Sequence, residues 1–165
     1  MRRHCWKLIW SVFKKPQDGF GKIFSKTGRC SMTTDKAKLR VDELHNTVSR
    51  LKEILDVPRN HTGRVDAIIQ RFEFCYELSW KSLRAILELY GHETPSPRQA
   101  FKKAFVMNLI DDENIWLKML EDRNLTSHTY KEKEAAEISE RVYDYYESIK
   151  KLYETLSETI EKDLG

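Results

Sequence analysis

The segment from Lys133 to Glu161 constrains the fold more than any other part of the chain. Ile138, Val142, Tyr145, Ile149, Leu152, Leu156 and Ile160 recur in steps of three and four, with polar and charged residues filling the positions between. This repeat follows the 3.6-residue turn and lays one apolar seam along a helix of several turns. A helix of this kind gains most of its stability from what covers the seam, so the remaining sequence must supply matching faces.

It does so in order. Thr34 or Asp35 is expected to cap a helix in which Leu44, Val48, Leu51 and Leu55 recur, ended by Pro58 and the polar run to Gly63. A second helix is expected from about Val65 to Tyr90. Its stripe of Ile68, Phe72, Cys75, Leu78, Leu83, Ile86 and Tyr90 slips in spacing around Ser79, and Gly91 stops it as a C′ residue. Ser96 caps and Pro97 opens a short helix that buries Ala100, Phe101, Ala104 and Phe105. Asp111 or Asp112 caps the next, with Ile115, Trp116, Met119 and Leu120 inward and Arg123 near its end. Short links between four or five such helices predict an all-α fold, an antiparallel up-and-down four- or five-helix bundle.

Residues 1–31 differ from this pattern. They hold eight Lys or Arg against the single Asp18, a net +7, and mix Trp6, Ile9, Trp10 and Phe13 with cations before passing through Gly19, Gly21 and Gly28. The apolar run is short and broken at Lys7, a poor signal peptide. A basic amphipathic membrane-surface or targeting segment is one reading. The plainer one, adopted here, is a disordered or loosely attached leader or an over-called start, with Met32 opening a bundle that spans 32–165. That body carries 21 basic and 25 acidic groups, a net −4. A broad nucleic-acid-binding surface is therefore not indicated, and any RNA contact has to be local.

Between the two helices that flank it, Arg123-Asn124-Leu125-Thr126-Ser127-His128-Thr129-Tyr130 reads as neither helix interior nor ordinary linker. Its Asn, Ser and Thr residues compete with the backbone for hydrogen bonds or are stiff at χ1. On an ideal helix Arg123 and His128 lie ~140° apart. For both to serve one substrate, the helix must end or distort between them, or two subunits must meet there. Histidine titrates near neutrality and can act as base or acid in metal-independent RNA cleavage, while a guanidinium matches phosphate oxygens and stabilises a phosphorane. The plainer alternative pairs Arg123 with Glu121 or Asp122 and leaves His128 capping a helix end. On residue chemistry alone this alternative is the stronger. Tyr130 offers a phenol oxygen for covalent nucleotidylation, or packs half-buried. Glu73, Glu77, Lys81 and Arg84, three to four apart on the second helix, form a polar strip for a partner or nucleotide, or a salt-bridged solvated face.

Several chemistries are disfavoured. Cys5, Cys30 and Cys75 form no CxxC pair, which suits a reducing cytoplasm and argues against a disulfide framework or zinc site. No run reaches the ~18 apolar residues of a membrane span. His45, His61 and His92 are scattered and lack carboxylates at ligand spacing, so neither metal nor cofactor is expected. A Gly-rich phosphate loop is missing, as is a Gly-Ser followed by paired Asp residues. This chain alone is not expected to transfer nucleotides.

Three blocks in order carry a family resemblance: Gln70 through Lys81, Ser96 through Ala100, and Trp116 through Tyr130. They resemble the bacterial nucleotidyltransferase substrate-binding protein family of the HEPN superfamily, over roughly Met32 to the C-terminus. The resemblance implies a bundle that dimerises and partners a separately encoded minimal nucleotidyltransferase, as in HEPN–MNT toxin–antitoxin pairs. It also implies that Arg-x4-His-x-Tyr, complete here as Arg123, His128 and Tyr130, corresponds to the motif of HepT-like ribonuclease toxins. In those, Arg and His serve RNA cleavage and the partner adenylylates the Tyr. Asn124, Glu73, Glu77 and Lys81 are taken as binding residues beside it. The function expected first is the substrate-binding partner subunit. The alternative is a metal-independent ribonuclease silenced at Tyr130.

Overall fold

In a computed structural model of the chain, residues 27–126 and 132–163 are described, with side chains from 34 onward in the first span and to 162 in the second. The leader expected over residues 1–31 lies outside them, save for the first residues of a helix. Among the described residues five helices follow in order: α1 (Thr27–Leu55), α2 (Arg64–Leu89), α3 (Pro97–Val106), α4 (Glu113–Thr126) and α5 (Glu132–Asp163). Among the described residues there is no strand, and the architecture is the antiparallel helical bundle expected. No described helix is long and apolar enough to cross a membrane.

Local chemistry explains most boundaries. Ser96 Oγ accepts the Gln99 N–H at 3.4 Å and Pro97 takes the first position of α3. Asp112 Oδ1 accepts the Asn114 N–H at 2.8 Å and starts α4. Gly91 ends α2 at φ 78°, with the His92 N–H reaching the Leu87 carbonyl at 2.9 Å. The first helix departs from expectation: it runs from Thr27, so Thr34 and Asp35 sit inside it rather than at its cap. A capping residue type marks where a helix can start, and the turns before it are themselves able to continue.

The α5 seam is buried as its spacing requires: Ile138, Val142, Tyr145, Ile149, Leu152 and Leu156 are all at most 2% exposed. An aromatic chain ties four helices together across it. Tyr145 of α5 stacks on Phe72 of α2 (centroids 5.5 Å), Tyr76 of α2 meets Phe101 of α3 (5.9 Å), and Phe101 meets Trp116 of α4 (5.0 Å). Helix α1 joins the same core through Ala37, Val41, Leu44, Val48, Leu51 and Leu55. Two side chains of α2 also bond the α1 backbone, Cys75 Sγ to the Thr47 carbonyl and Ser82 Oγ to the Arg40 carbonyl. Burial pushes the Cys75 thiol up to about 12, so it packs as an inert apolar group. At the other end of α1, buried Arg64 donates to the carbonyls of Val57 (2.8 Å) and Leu55 (3.3 Å), a cation closing a helix C-terminus.

Two apolar positions read as inward are not. Phe105 is 43% exposed and Tyr90 is 42% exposed, each at the end of its helix where no neighbouring helix covers the stripe. Phe72, by contrast, touches both Tyr145 and Tyr76 and is fully buried. Phe72→Ala is expected to cost about 3–5 kcal/mol of stability, read from the urea midpoint by far-UV circular dichroism.

Candidate functional site at the end of α4

Helix α4 buries Trp116, Met119 and, in the same register, the carboxylate of Asp122. A buried carboxylate is tolerated only when its oxygens are satisfied. Arg141 of α5 supplies two parallel bonds, Nε to Oδ2 at 2.7 Å and Nη2 to Oδ1 at 2.9 Å, and the Tyr145 hydroxyl donates to Oδ2 at 2.6 Å. The hydrogen bond to Asp122 drives the Arg141 guanidinium further towards permanent charge. Burial first, and the Asp122 bond second, hold the Tyr145 phenol well above its ordinary value. In the sequence Asp122 stands only as a candidate neighbour for Arg123. The carboxylate is instead bonded by α5, where Arg141 and Tyr145 complete a clamp that sequence reasoning missed. Its signal lies in Arg141 standing one turn before Tyr145 on the flank of the α5 seam.

With Asp122 fixed inward, the next residue is rotated by about 100° and points to α2. Arg123 Nη2 lies 3.1 Å from Glu77 Oε1, with the two side chains 35% and 31% exposed. Glu77 gathers more: its Oε2 accepts the Trp80 indole N–H at 3.2 Å and faces Lys81 Nζ at 3.3 Å. One turn earlier on α2, Glu73 Oε1 lies 2.5 Å from the Thr126 hydroxyl, which also lies 2.7 Å from the Arg123 carbonyl, so the two acceptors share its hydrogen. Beneath them Tyr76 is 1% exposed, and its phenol oxygen has no hydrogen-bond partner among the described residues. Burial, reinforced by Glu77, raises its pKa, while Arg123 opposes the rise.

The structure therefore brings together Arg123, Glu73, Glu77 and Lys81, four of the residues singled out in the sequence. Asn124 is exposed beside them and takes no part in this network. His128 and Tyr130 lie outside the described residues. The strip on α2 resolves into two parts. Glu73 and Glu77 brace the end of α4, whereas Arg84 pairs with Glu88 (2.8 Å) as a solvated i,i+4 bridge. Among the described residues no group of three or more His, Cys, Asp or Glu is placed to hold a metal. Chemically, the site offers an oriented guanidinium with an ammonium nearby, both held by one carboxylate, which suits a phosphate that competes for the two cations.

A family model described as nucleotidyltransferase substrate binding protein like matches residues 39–158. The chain belongs to that family. Probable ribonuclease HepT of Haemophilus influenzae is 32% identical over 82 residues, 47% of this chain, and the chain spans 56% of that relative's length. A Thermus thermophilus protein of known crystal structure is 34% identical with a TM-score of 0.65, covering 68% of this chain and 98% of its own. The fold is shared at lower identity, 16% with a TM-score of 0.61, by a tri-AMPylated Shewanella oneidensis HEPN toxin solved in complex with an MNT antitoxin. That match covers 73% of this chain and 96% of the toxin.

The clamp sets two expectations. Asp122→Ala leaves Arg141 and Tyr145 without their acceptor and is expected to cost about 3 kcal/mol, measured by chemical denaturation. The folded phenols of Tyr145 and Tyr76 titrate above the ordinary value of 10. Their contribution is full below that value and is lost as pH rises towards the folded pKa. The urea midpoint is expected to fall between about pH 9 and about pH 11, and to fall less steeply in Tyr145→Phe.

Proposed function

We infer that this protein is the substrate-binding and docking subunit of a two-component system whose other member is a separately encoded minimal nucleotidyltransferase. The observation that carries this reading is the family match over residues 39–158. The fold shared with a HEPN toxin held by an MNT antitoxin supports it. So does the bracing of the α4 end by Glu73 and Glu77, which orients Arg123 seven positions before Tyr130 in the chain. In this reading Tyr130 is the acceptor. Its phenol oxygen attacks the α-phosphate of ATP in the partner's active site, the bond to pyrophosphate breaks, and the phenol proton passes to solvent. The adenylate adds a negative charge a few residues beyond Arg123, where it competes with any other phosphate for that guanidinium. In this reading the protein acts as a cytoplasmic homodimer, with Asn124, Glu73, Glu77 and Lys81 as binding residues beside Arg123.

A second reading is favoured by the 32% identity to a protein named as a probable ribonuclease. Here Arg123 stabilises the crowded phosphorane and His128 moves the proton of the 2′-OH or of the leaving oxygen, with no metal. The two readings are compatible, since a ribonuclease silenced at Tyr130 is both partner and substrate of the nucleotidyltransferase.

Co-expression with its cognate minimal nucleotidyltransferase, followed by mass analysis, is expected to show adenylate on Tyr130 and none in Tyr130→Phe. An unmodified, unbound protein after that experiment refutes the docking reading. Under the ribonuclease reading, the intact chain expressed without its partner arrests growth and degrades RNA, whereas harmless expression favours the docking role alone. Arg123→Ala and His128→Ala should each reduce cleavage at least a hundredfold with unchanged circular dichroism.

A further inference from the structure

Helix α3 differs electrostatically from the rest of the described bundle. From Thr94 to Ile110 the chain contains Arg98, Lys102 and Lys103 and no Asp or Glu, although residues 32–165 are net acidic. Several cations elsewhere pair with an acid on their own helix, as in Lys52–Asp56, Lys81–Glu77, Arg84–Glu88 and Lys162–Glu158. Arg98, Lys102 and Lys103 make no ion pair among the described residues.

Register adds a second feature. Arg98, Lys102 and Phe105 stand at i, i+4 and i+7 and so form one stripe, all three exposed, with Val106 beside it at 71% exposure. Phe105 closes that stripe about one turn beyond Lys102 and is 43% exposed, while the inward face of α3 is already filled by Ala100, Phe101 and Ala104. The stripe is also rigid. Phe101 seats α3 on Tyr76 and Trp116, which belong to the helices carrying Glu77 and Arg123.

We propose that the outer face of α3 is a binding site for single-stranded RNA, with Arg98 and Lys102 on successive phosphates and a base stacked on Phe105. Unpaired cations that track a backbone, next to an aromatic face open to solvent, are the two elements sequence-tolerant strand binding requires. The spacing suits one strand: residues four apart on a helix rise about 6 Å, close to the phosphate repeat of an extended nucleic acid. An acidic protein surface would use the cations and leave Phe105 without a role. This rests on the ribonuclease reading of the Arg123 end, for which α3 would hold substrate outside the cleavage site.

The test uses the full chain and a fluorescein-labelled single-stranded RNA of twelve nucleotides, with anisotropy read across a salt series. Arg98→Glu/Lys102→Glu is expected to weaken binding at least tenfold and to flatten the log–log salt slope by about 1.4, about 0.7 for each phosphate no longer neutralised. Phe105→Ala is expected to weaken it about tenfold with the slope unchanged. The charge-matched Lys38→Glu/Lys150→Glu should bind within twofold of the parent. In an Arg123→Ala background, which should fail to cut, Arg98→Glu/Lys102→Glu should still weaken binding at least tenfold, and an Arg123→Ala that binds and still cuts counts against the cleavage reading alone. Unchanged affinity in the Arg98/Lys102 variant overturns the proposal. So does a Phe105→Ala variant that binds like the parent, or polyglutamate competing as well as unlabelled RNA at equal charge, which would assign the face to an acidic protein.

Discussion

One buried carboxylate sets the geometry of everything at the end of α4. Asp122 has its two oxygens filled by the fork of Arg141 and the hydroxyl of Tyr145, so a charge that would be intolerable in the core is fully bonded there. The arrangement fixes more than a contact between α4 and α5. It determines the rotation of α4 about its axis, and with it the direction in which the next residue leaves. A hydrophobic residue of similar size can hold two helices together equally well. It would not fix rotation as closely, because apolar contacts are non-directional whereas a bidentate pair is not.

Arg123 inherits that direction and meets a second constraint from α2. Glu77 orients its guanidinium and at the same time lowers its availability to another anion. With Lys81 on the same carboxylate, displacement of Glu77 by phosphate releases two cations together. Glu73, one turn away, secures Thr126 and hence the final turn of the helix. The cations of the site are therefore covered by Glu77, with Glu73 beside them. Such an arrangement favours ligands carrying strong, geometrically matched charge over weakly anionic surfaces.

What is legible in the sequence divides along the range of the interactions involved. The α5 seam, the Ser96–Pro97 start and the Gly91 stop depend on residues within a turn or two and can be read directly, and the α4 cap narrows to Asp111 or Asp112, of which the structure uses Asp112. Phe105 and Tyr90 mislead because periodicity states which face a residue occupies, not whether a neighbouring helix extends far enough to cover it. Asp122 is hidden for a different reason. A carboxylate on a helix reads as solvated unless its partner is known, and Arg141 lies nineteen residues away on another helix. Likewise, Glu121 and Asp122 are the local candidates for Arg123, but the inward rotation fixed by the clamp removes Asp122 and Glu77 takes the guanidinium. His128 and Tyr130 stand out by residue chemistry and family resemblance, and they lie outside the described residues.

Net charge is a poor guide to what such a bundle can bind. A body with four more acids than bases repels polyanions at long range, but screening at physiological salt limits that repulsion to about 8 Å. Within that distance the local arrangement decides. An unneutralised stripe on α3 and a releasable pair of cations at Arg123 and Lys81 present two small basic islands on one acidic frame. Acidic surroundings then act as a filter. They disfavour non-specific adsorption of long polyanions, so the strand binding proposed for α3 would depend on close contact with its cations.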